Sequence, residues 1–544
     1  MRSPARAVPG QSRRSTQLPH SLVTDSCATM APVGRARPAG RTAGRPPVKD
    51  ETAITSSSPR KIGVAEALVA VAFFVVLCVA ALIPATKLME PDDYAYRASI
   101  VALSHGHVTL AGSQYQALGS ELRTSDAGKG AAIQQWVHLP GGRWVSEKNP
   151  GFPFFAVPFR LLGLLRLAPL FYGALGCLGL FAGGRRWLGR WGGTWAVGLF
   201  CSSGAALVFA WRDTMPTFTG ASLVAAGVGA LLWAVLAGEA GARLRTSVGL
   251  LGFVALEGAV FVRYTDVVVL ACGILAVLLV RWLAPLVLPR RAPLWWLGSV
   301  VAFGILVLAF DRGVYGNPFA TGYSSGEIAF GLGAVAGNLK RMPPHLLMAM
   351  PALALALAGL VWIVTRDAWL RRQARASSGQ VSLAEADRDL AVGAALGASW
   401  LGVWALYAMY YWTAQMSGGG STVHVVRFFV PALAPIALLA AWPLARMPRW
   451  LAGAAIVAFF AVGLWSFTDM RTNDLGPGGG MPGGPGMPPG PGGPGQGTPP
   501  PLPQGGQPTG LPQGQPPGLP QGQPPTGPPP GLQPTAAPAS TAAP

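Results

Sequence analysis

Pro91-Asp92-Asp93-Tyr94 places two adjacent carboxylates a few residues beyond a long apolar stretch, Ile62 to Pro84. Acids next to such a stretch are costly to desolvate, so the pair reads either as acid–base machinery or as ordinary solvated loop charge. Polar residues recur at the ends of later apolar stretches: Glu147-Lys148, Asp213, Arg263 with Asp266, Asp311-Arg312, Lys340-Arg341 with His345, and His424 with Arg427. Helices that bundle bring their ends together, and these groups then share one cavity. A carboxylate can take the proton from an attacking hydroxyl. Arg and Lys can hold and neutralise a departing phosphate. The chemistry that suits the set is group transfer from a phosphate-bearing donor; the alternative is that helix ends are polar wherever they meet water.

The elements that must position these residues follow from composition. Half of the chain is apolar and only 12% is charged. Eleven apolar stretches approach the ~20 residues that cross a bilayer: roughly 62–84, 166–183, 193–210, 217–237, 247–263, 266–283, 294–310, 346–365, 390–410, 427–444 and 450–467. The expected fold is therefore an all-α polytopic membrane protein of about eleven transmembrane helices, with a long first extracytoplasmic loop and disordered termini. Arg160 and Arg166 interrupt the region 152–183, where a short interfacial helix is expected before the second span. The first stretch starts too late and is too long for a cleavable signal peptide and reads as a signal anchor.

Three regions result. Residues 1–61 form a basic cytoplasmic tail, rich in Arg, Pro, Ser and Gly, that reads as disordered. Residues 62–470 form the transmembrane domain, with outer loops at 85–165 and 311–345. Residues 471–544 form a Pro/Gly/Gln-rich extracytoplasmic tail, in which an eight-residue unit at 510–517 repeats at 518–525.

The net charge of +19 raises the prospect of nucleic acid, but its distribution argues against it. The basic residues cluster before Ile62 and in alternate short loops, which is the positive-inside pattern together with attraction to anionic lipid heads. The N-terminus is then cytoplasmic and the C-terminus extracytoplasmic in a multi-pass inner-membrane protein. Of the five cysteines, four lie in apolar stretches, and their spacing fits neither zinc nor a disulfide framework. His105, His107 and His138 form no metal motif. No bound metal or cofactor is expected. Trp136, Trp144, Trp295, Trp296 and the group Tyr407, Tyr410, Tyr411 and Trp412 read as interfacial aromatics. Glu257 falls inside the fifth stretch, where a carboxylate needs a cavity or a partner.

No Walker or dinucleotide-type glycine loop is present, so a soluble nucleotide donor is not indicated. A lipid-linked donor entering sideways from the bilayer fits an outer site. At this point the chain resembles the C-type glycosyltransferase superfamily, in its protein mannosyltransferase and aminoarabinose transferase branch. Asp92-Asp93 resembles that superfamily's first-loop acidic motif. Glu147-Lys148-Asn149-Pro150-Gly151 resembles its Lys-Pro-Pro segment, with Asn149 in place of the first proline. Arg212-Asp213 resembles a second acidic position. The stretch from Tyr315 to Tyr323 resembles its Gly-x-Pro…Tyr loop, and Val426-Arg427-Phe428-Phe429-Val430-Pro431 its Arg-Tyr…Pro entry.

The resemblance implies a hexosyl or pentosyl transferase that moves sugar from a polyprenyl-phosphate donor to a cell-envelope acceptor (lipid, glycan or protein). It implies Asp92 or Asp93 as the base, Asp213 as an acid of the acceptor site, and Lys148 on the donor phosphate. Charge and position add Arg263 and Arg427 to the phosphate candidates. Two other readings stand beside this one. A transporter or flippase of a lipid-linked intermediate would place functional polar groups at mid-membrane, where Glu257 is the candidate. A non-catalytic membrane scaffold would depend on its Pro/Gly tail.

Overall fold

The computed structural model describes residues 63–84, 91–125, 135–283, 288–323, 330–376, 383–411, 413 and 421–474. The tail expected at 1–61 lies outside the described residues, as does all of the tail expected at 471–544 except 471–474, which continue the last helix as a π-helical turn, Met470–Asp474. The chain opens with α1 (Val64–Leu82). The first loop then folds into α2 (Pro91–Ser104), β1 (Leu110–Ala111), α3 (Gly112–Ser125), β2 (Trp136–Leu139), β3 (Arg143–Ser146) and α4 (Gly151–Leu161). The apolar series continues with α5 (Ala168–Leu188), α6 (Gly192–Cys201), α7 (Gly204–Trp211), α8 (Pro216–Leu236), α9 (Ala242–Val262), α10 (Val267–Leu283) and α11 (Ala292–Tyr315). It ends with α12 (Val335–Ala349), α13 (Ala352–Ala376), α14 (Ala384–Ala408), α15 (Thr422–Val426), α16 (Leu433–Leu444) and α17 (Arg449–Asp469).

Among the described residues, eight helices are long and apolar enough to cross a membrane, and nine if the α6–α7 pair, bent by 60°, is one span. Two shorter apolar helices, Tyr264–Leu279 and Val430–Leu444, occupy the remaining apolar stretches. The short helix expected before the second span is α4. The span expected at 346–365 is shifted: α12 ends at Ala349, ahead of Pro351, and α13 starts at Ala352. A proline disfavours helical backbone in the residue before it, which sets this break. Helices α13 and α14 also run past their apolar stretches towards each other. Arg371 pairs with Asp367 at 2.8 Å and Arg366 with Asp389 at 3.2 Å, so both helix ends are held by charge.

Small residues set the closest helix approach. A side chain at Gly176 or Gly179 of α5 would meet the backbone of Ser222 or Ala226 on α8 within 2.8 Å. Without a hydrophobic force between helices in lipid, such backbone-to-backbone contact is what binds them. Helix α16 is buried along its whole length. The α6–α7 break at Ser202-Ser203 is satisfied locally, with the Ser203 hydroxyl donating to the Ala349 carbonyl at 2.9 Å. The bend aims the segment after α7, Arg212-Asp213-Thr214, at the start of α2.

Charge divides between the two ends of the bundle. At the end where α5 stops, buried Glu66 pairs with Arg185 (2.9 Å) and with Arg190. Nearby, Asp389 accepts from the Trp187 indole at 3.0 Å and from Arg446 at 2.9 Å. The opposite end carries the folded first loop, where β1, β3 and β2 form an antiparallel sheet in that order. Trp136 sits in that loop's own core with Val101, Leu118 and Leu122 rather than at an interface. Trp296 is likewise fully buried and donates to the Thr246 carbonyl at 2.9 Å, whereas Trp295 is 62% exposed as expected of an interfacial ring.

Candidate active site

Helix α2 starts at Pro91, whose fixed φ and missing N–H suit a first helical position. Asp92 and Asp93 fill the first turn, where the helix dipole favours carboxylates. Successive helical residues point about 100° apart, and here that separates two roles. Asp93 turns inward and is 2% exposed. It pairs with Arg212 and accepts from the Thr214 hydroxyl at 3.0 Å. Asp92 turns towards the open side and bridges two cations: Oδ1 is 3.1 Å from Lys148 Nζ, and Oδ2 is 2.9 Å from Arg427 Nη1.

Lys148 follows β3 and precedes α4, so strand and helix fix it from both sides. Its backbone N–H donates to Ser146 Oγ at 3.2 Å, and the next side chain, Asn149, donates to the Val262 carbonyl at 3.4 Å. The ammonium is 3.2 Å from Glu147 Oε1 and 5.1 Å from the centre of the Tyr323 ring. Burial pushes this lysine's pKa down, but Asp92, Tyr323 and Glu147 outweigh it and hold the group above the usual lysine value. Gly322 brings the loop this close, since any side chain there would run into the Glu147 backbone.

Arg427 closes the site from α15. The Ser421 side chain accepts from the His424 N–H as the cap of that helix, and the Arg427 guanidinium lies 4.8 Å from the Phe428 ring centre. Arg263, expected on a phosphate, sits one layer behind. It donates to the Arg427 carbonyl at 2.7 Å and to the Tyr407 hydroxyl at 3.0 Å, and Tyr407 is 2.6 Å from Thr265 Oγ1. Tyr407, read from the sequence as interfacial, is 3% exposed and forms part of this support.

The expected residues thus divide. Asp92, Glu147, Lys148 and Arg427 are in direct contact. Asp93 and Arg263 brace them. Asp213 lies to the side, 3.9 Å from Arg166. Burial pushes its pKa up, opposed by Arg166 and Arg97 and reinforced by the neighbouring Asp93 charge. Asp311 accepts from the Tyr264 hydroxyl at 3.4 Å, and His345 meets Thr422 at 2.9 Å. Arg312 and Lys340 are exposed. Glu257 is partnered within the helices, accepting from Ser299 Oγ at 2.8 Å. Among the described residues no three His, Cys, Asp or Glu side chains group to hold a metal ion.

Sequence reasoning gave Arg212 and Thr214 no role in the site and read Tyr407 as interfacial. A buried carboxylate needs a cation, and Arg212, the basic residue next to the break that follows α7, is the signal that could have located it. Nothing in the local pattern marked Tyr407. Beside Lys148 a cavity of about 30 Å³ has mostly apolar walls, among them Pro153, Phe154 and Phe310. Phe154 is 38% exposed, so the wall reaches the face that lipid would cover.

Comparison with known proteins adds the following. No protein-family model and no curated protein matches the chain. Among solved structures it is similar to ArnT from Cupriavidus metallidurans bound to undecaprenyl phosphate, at 15% identity over 75% of this chain and 69% of that one, with a TM-score of 0.43. It is also similar to the Archaeoglobus fulgidus oligosaccharyltransferase in complex with zinc and sulfate, at 13% identity over 74% of this chain, with a TM-score of 0.39; the chain spans 52% of that protein's length.

Proposed function

We propose that the chain is a bacterial inner-membrane glycosyltransferase that moves a sugar from a polyprenyl-phosphate donor to an acceptor outside the cytoplasm. The observation that carries this reading is the Asp92 carboxylate clamped between Lys148 and Arg427, with Asp93 locked behind it on Arg212. Two cations spaced by one carboxylate also suit a phosphate. A donor phosphate entering between Lys148 and Arg427 takes over their charge and releases Asp92. The freed carboxylate then accepts the proton of the acceptor hydroxyl as that oxygen bonds to the sugar's anomeric carbon. The bond from that carbon to the phosphate oxygen breaks, and polyprenyl phosphate leaves with its electron pair, its charge stabilised by the two cations. Attack opposite the leaving group inverts the anomeric centre. The sequence resemblance supports a lipid-borne donor.

The test is transfer of labelled sugar from polyprenyl-phosphate donors in membranes containing the protein, beside Asp92→Asn. Transfer by the wild type that disappears in the variant supports the reading. Full transfer by the variant removes the base. Accumulation of a lipid intermediate on one side of the membrane, with no transfer, would instead favour a flippase.

A further inference from the structure

The opposite end of the bundle holds a second cavity, of about 220 Å³, between α9, α10 and α11. Its walls are Phe253, Ile274, Val277, Leu278, Trp296 and Leu297, with Pro293 and one charged residue, Arg281. It opens towards the lipid-facing side: Leu278 is 52% and Leu297 39% exposed, and just 6% of the apolar stretch of α11 is buried. An apolar cavity of roughly 150 Å³ stays dry and takes up an apolar guest. This larger one has room for a stretch of acyl chain.

Part of the basic charge at this end of the molecule is paired with carboxylates. Arg185 and Arg190 share Glu66, Arg186 pairs with Glu239, and Arg366 and Arg446 share Asp389. Arg281 lines the cavity, and Arg290 and Arg291 immediately precede α11, whose Pro293 also lines it. All three arginines are exposed. Among the described residues no carboxylate forms an ion pair with any of them. Basic groups at the end of a cleft between membrane helices are suited to a lipid headgroup phosphate.

We propose that this cavity binds one anionic phospholipid, with an acyl chain among Ile274, Val277, Leu278 and Leu297 and the headgroup phosphate on Arg281 and the Arg290-Arg291 pair. The site is independent of the transfer chemistry, and its test does not use activity. The full chain, purified in detergent, is titrated with phosphatidylglycerol and with phosphatidylcholine of the same acyl chains, and bound lipid is counted by native mass spectrometry. One phosphatidylglycerol should be retained well below the concentration at which phosphatidylcholine binds. Arg281→Gln/Arg290→Gln/Arg291→Gln should weaken that retention by about a hundredfold, since each basic group near a phosphate contributes roughly fivefold. Val277→Phe, which fills the cavity and leaves the arginines in place, should also reduce it, and glycerol phosphate without chains should not bind. Equal retention of the two lipids by the wild type overturns the proposal, and this comparison needs no variant to fold. Unchanged retention in the folded triple variant overturns the headgroup assignment. Binding of glycerol phosphate as tight as that of the lipid overturns the role of the cavity.

Discussion

Replacing Asp92 with Asn should split binding from turnover. The substitution keeps the size of the side chain but removes the charge between Lys148 and Arg427, whose contacts to Asp92 measure 3.1 and 2.9 Å. A donor phosphate on the same two cations would stand about 5 Å from that carboxylate. At an effective dielectric near 20 the two like charges repel by roughly 3 kcal/mol. The Asp92 side chain is 20% exposed, and water there reduces the repulsion to about 1.5 kcal/mol, or roughly tenfold in affinity. Asp92→Asn should therefore bind polyprenyl phosphate about tenfold more tightly than the wild type. Its single-turnover transfer rate should fall by about 10²–10⁴, the usual contribution of a general base. Equilibrium retention of labelled polyprenyl phosphate measures the first quantity, and rapid-quench sugar transfer the second. A rate within about threefold of the wild type refutes Asp92 as the base. Weaker lipid binding alongside a lost rate refutes the shared-cation geometry and makes Asp92 a structural residue.

Asp93→Asn and Arg212→Met each break a buried ion pair and should cost about 3–5 kcal/mol of stability, Asn at the lower end because it can keep the Thr214 contact; thermal unfolding in detergent reads this. Arg263→Gln should lower the transfer rate without changing the stoichiometry of donor phosphate bound, because it supports Arg427 from behind; a loss of donor binding equal to that of Lys148→Met would show direct contact instead. Burial holds the His345 imidazole below its ordinary value. The folded state therefore binds its proton less readily than the unfolded one, and stability should fall as pH drops below about 6.5, an effect that His345→Asn should remove. Gly179→Leu should prevent α5 from seating on α8 and abolish the folded protein, whereas Gly298→Leu, with open space beside it, should be tolerated; fluorescence-detected size exclusion distinguishes the two.

The helical, apolar character of the chain was legible because apolar length is a local property; among the described residues eight helices, or nine with the bent pair, reach spanning length, and two of the eleven expected stretches are shorter. The candidate site was legible in part. Asp92, Lys148 and Arg427 could be singled out because each lies at the end of a stretch, but which partner each would take depended on how the ends meet. Asp92 and Asp93 are indistinguishable in sequence, and a rotation of one helical position sends one to Arg212 and the other to the open side. Arg263 has the charge of a phosphate ligand, and only the packing of α15 against it shows its two terminal nitrogens engaged with the Arg427 carbonyl and the Tyr407 hydroxyl. Tyr407 and Trp296 looked like interface aromatics because composition cannot report burial.

Helix α16, buried on every side, has a consequence for how the protein is made. At 12 residues it is about 18 Å long, well short of the ~30 Å hydrocarbon layer. Such a segment is a poor substrate for stepwise release from a translocon into lipid. It needs neighbouring helices as its solvent, so it enters a partly assembled bundle rather than founding one. Arg427, just ahead of it in the chain, takes its place against Asp92 only at that late stage. Until the final helices have joined, a nascent chain carries Asp92 without its second cation, and on the proposed mechanism competence for transfer becomes a property of completed biogenesis.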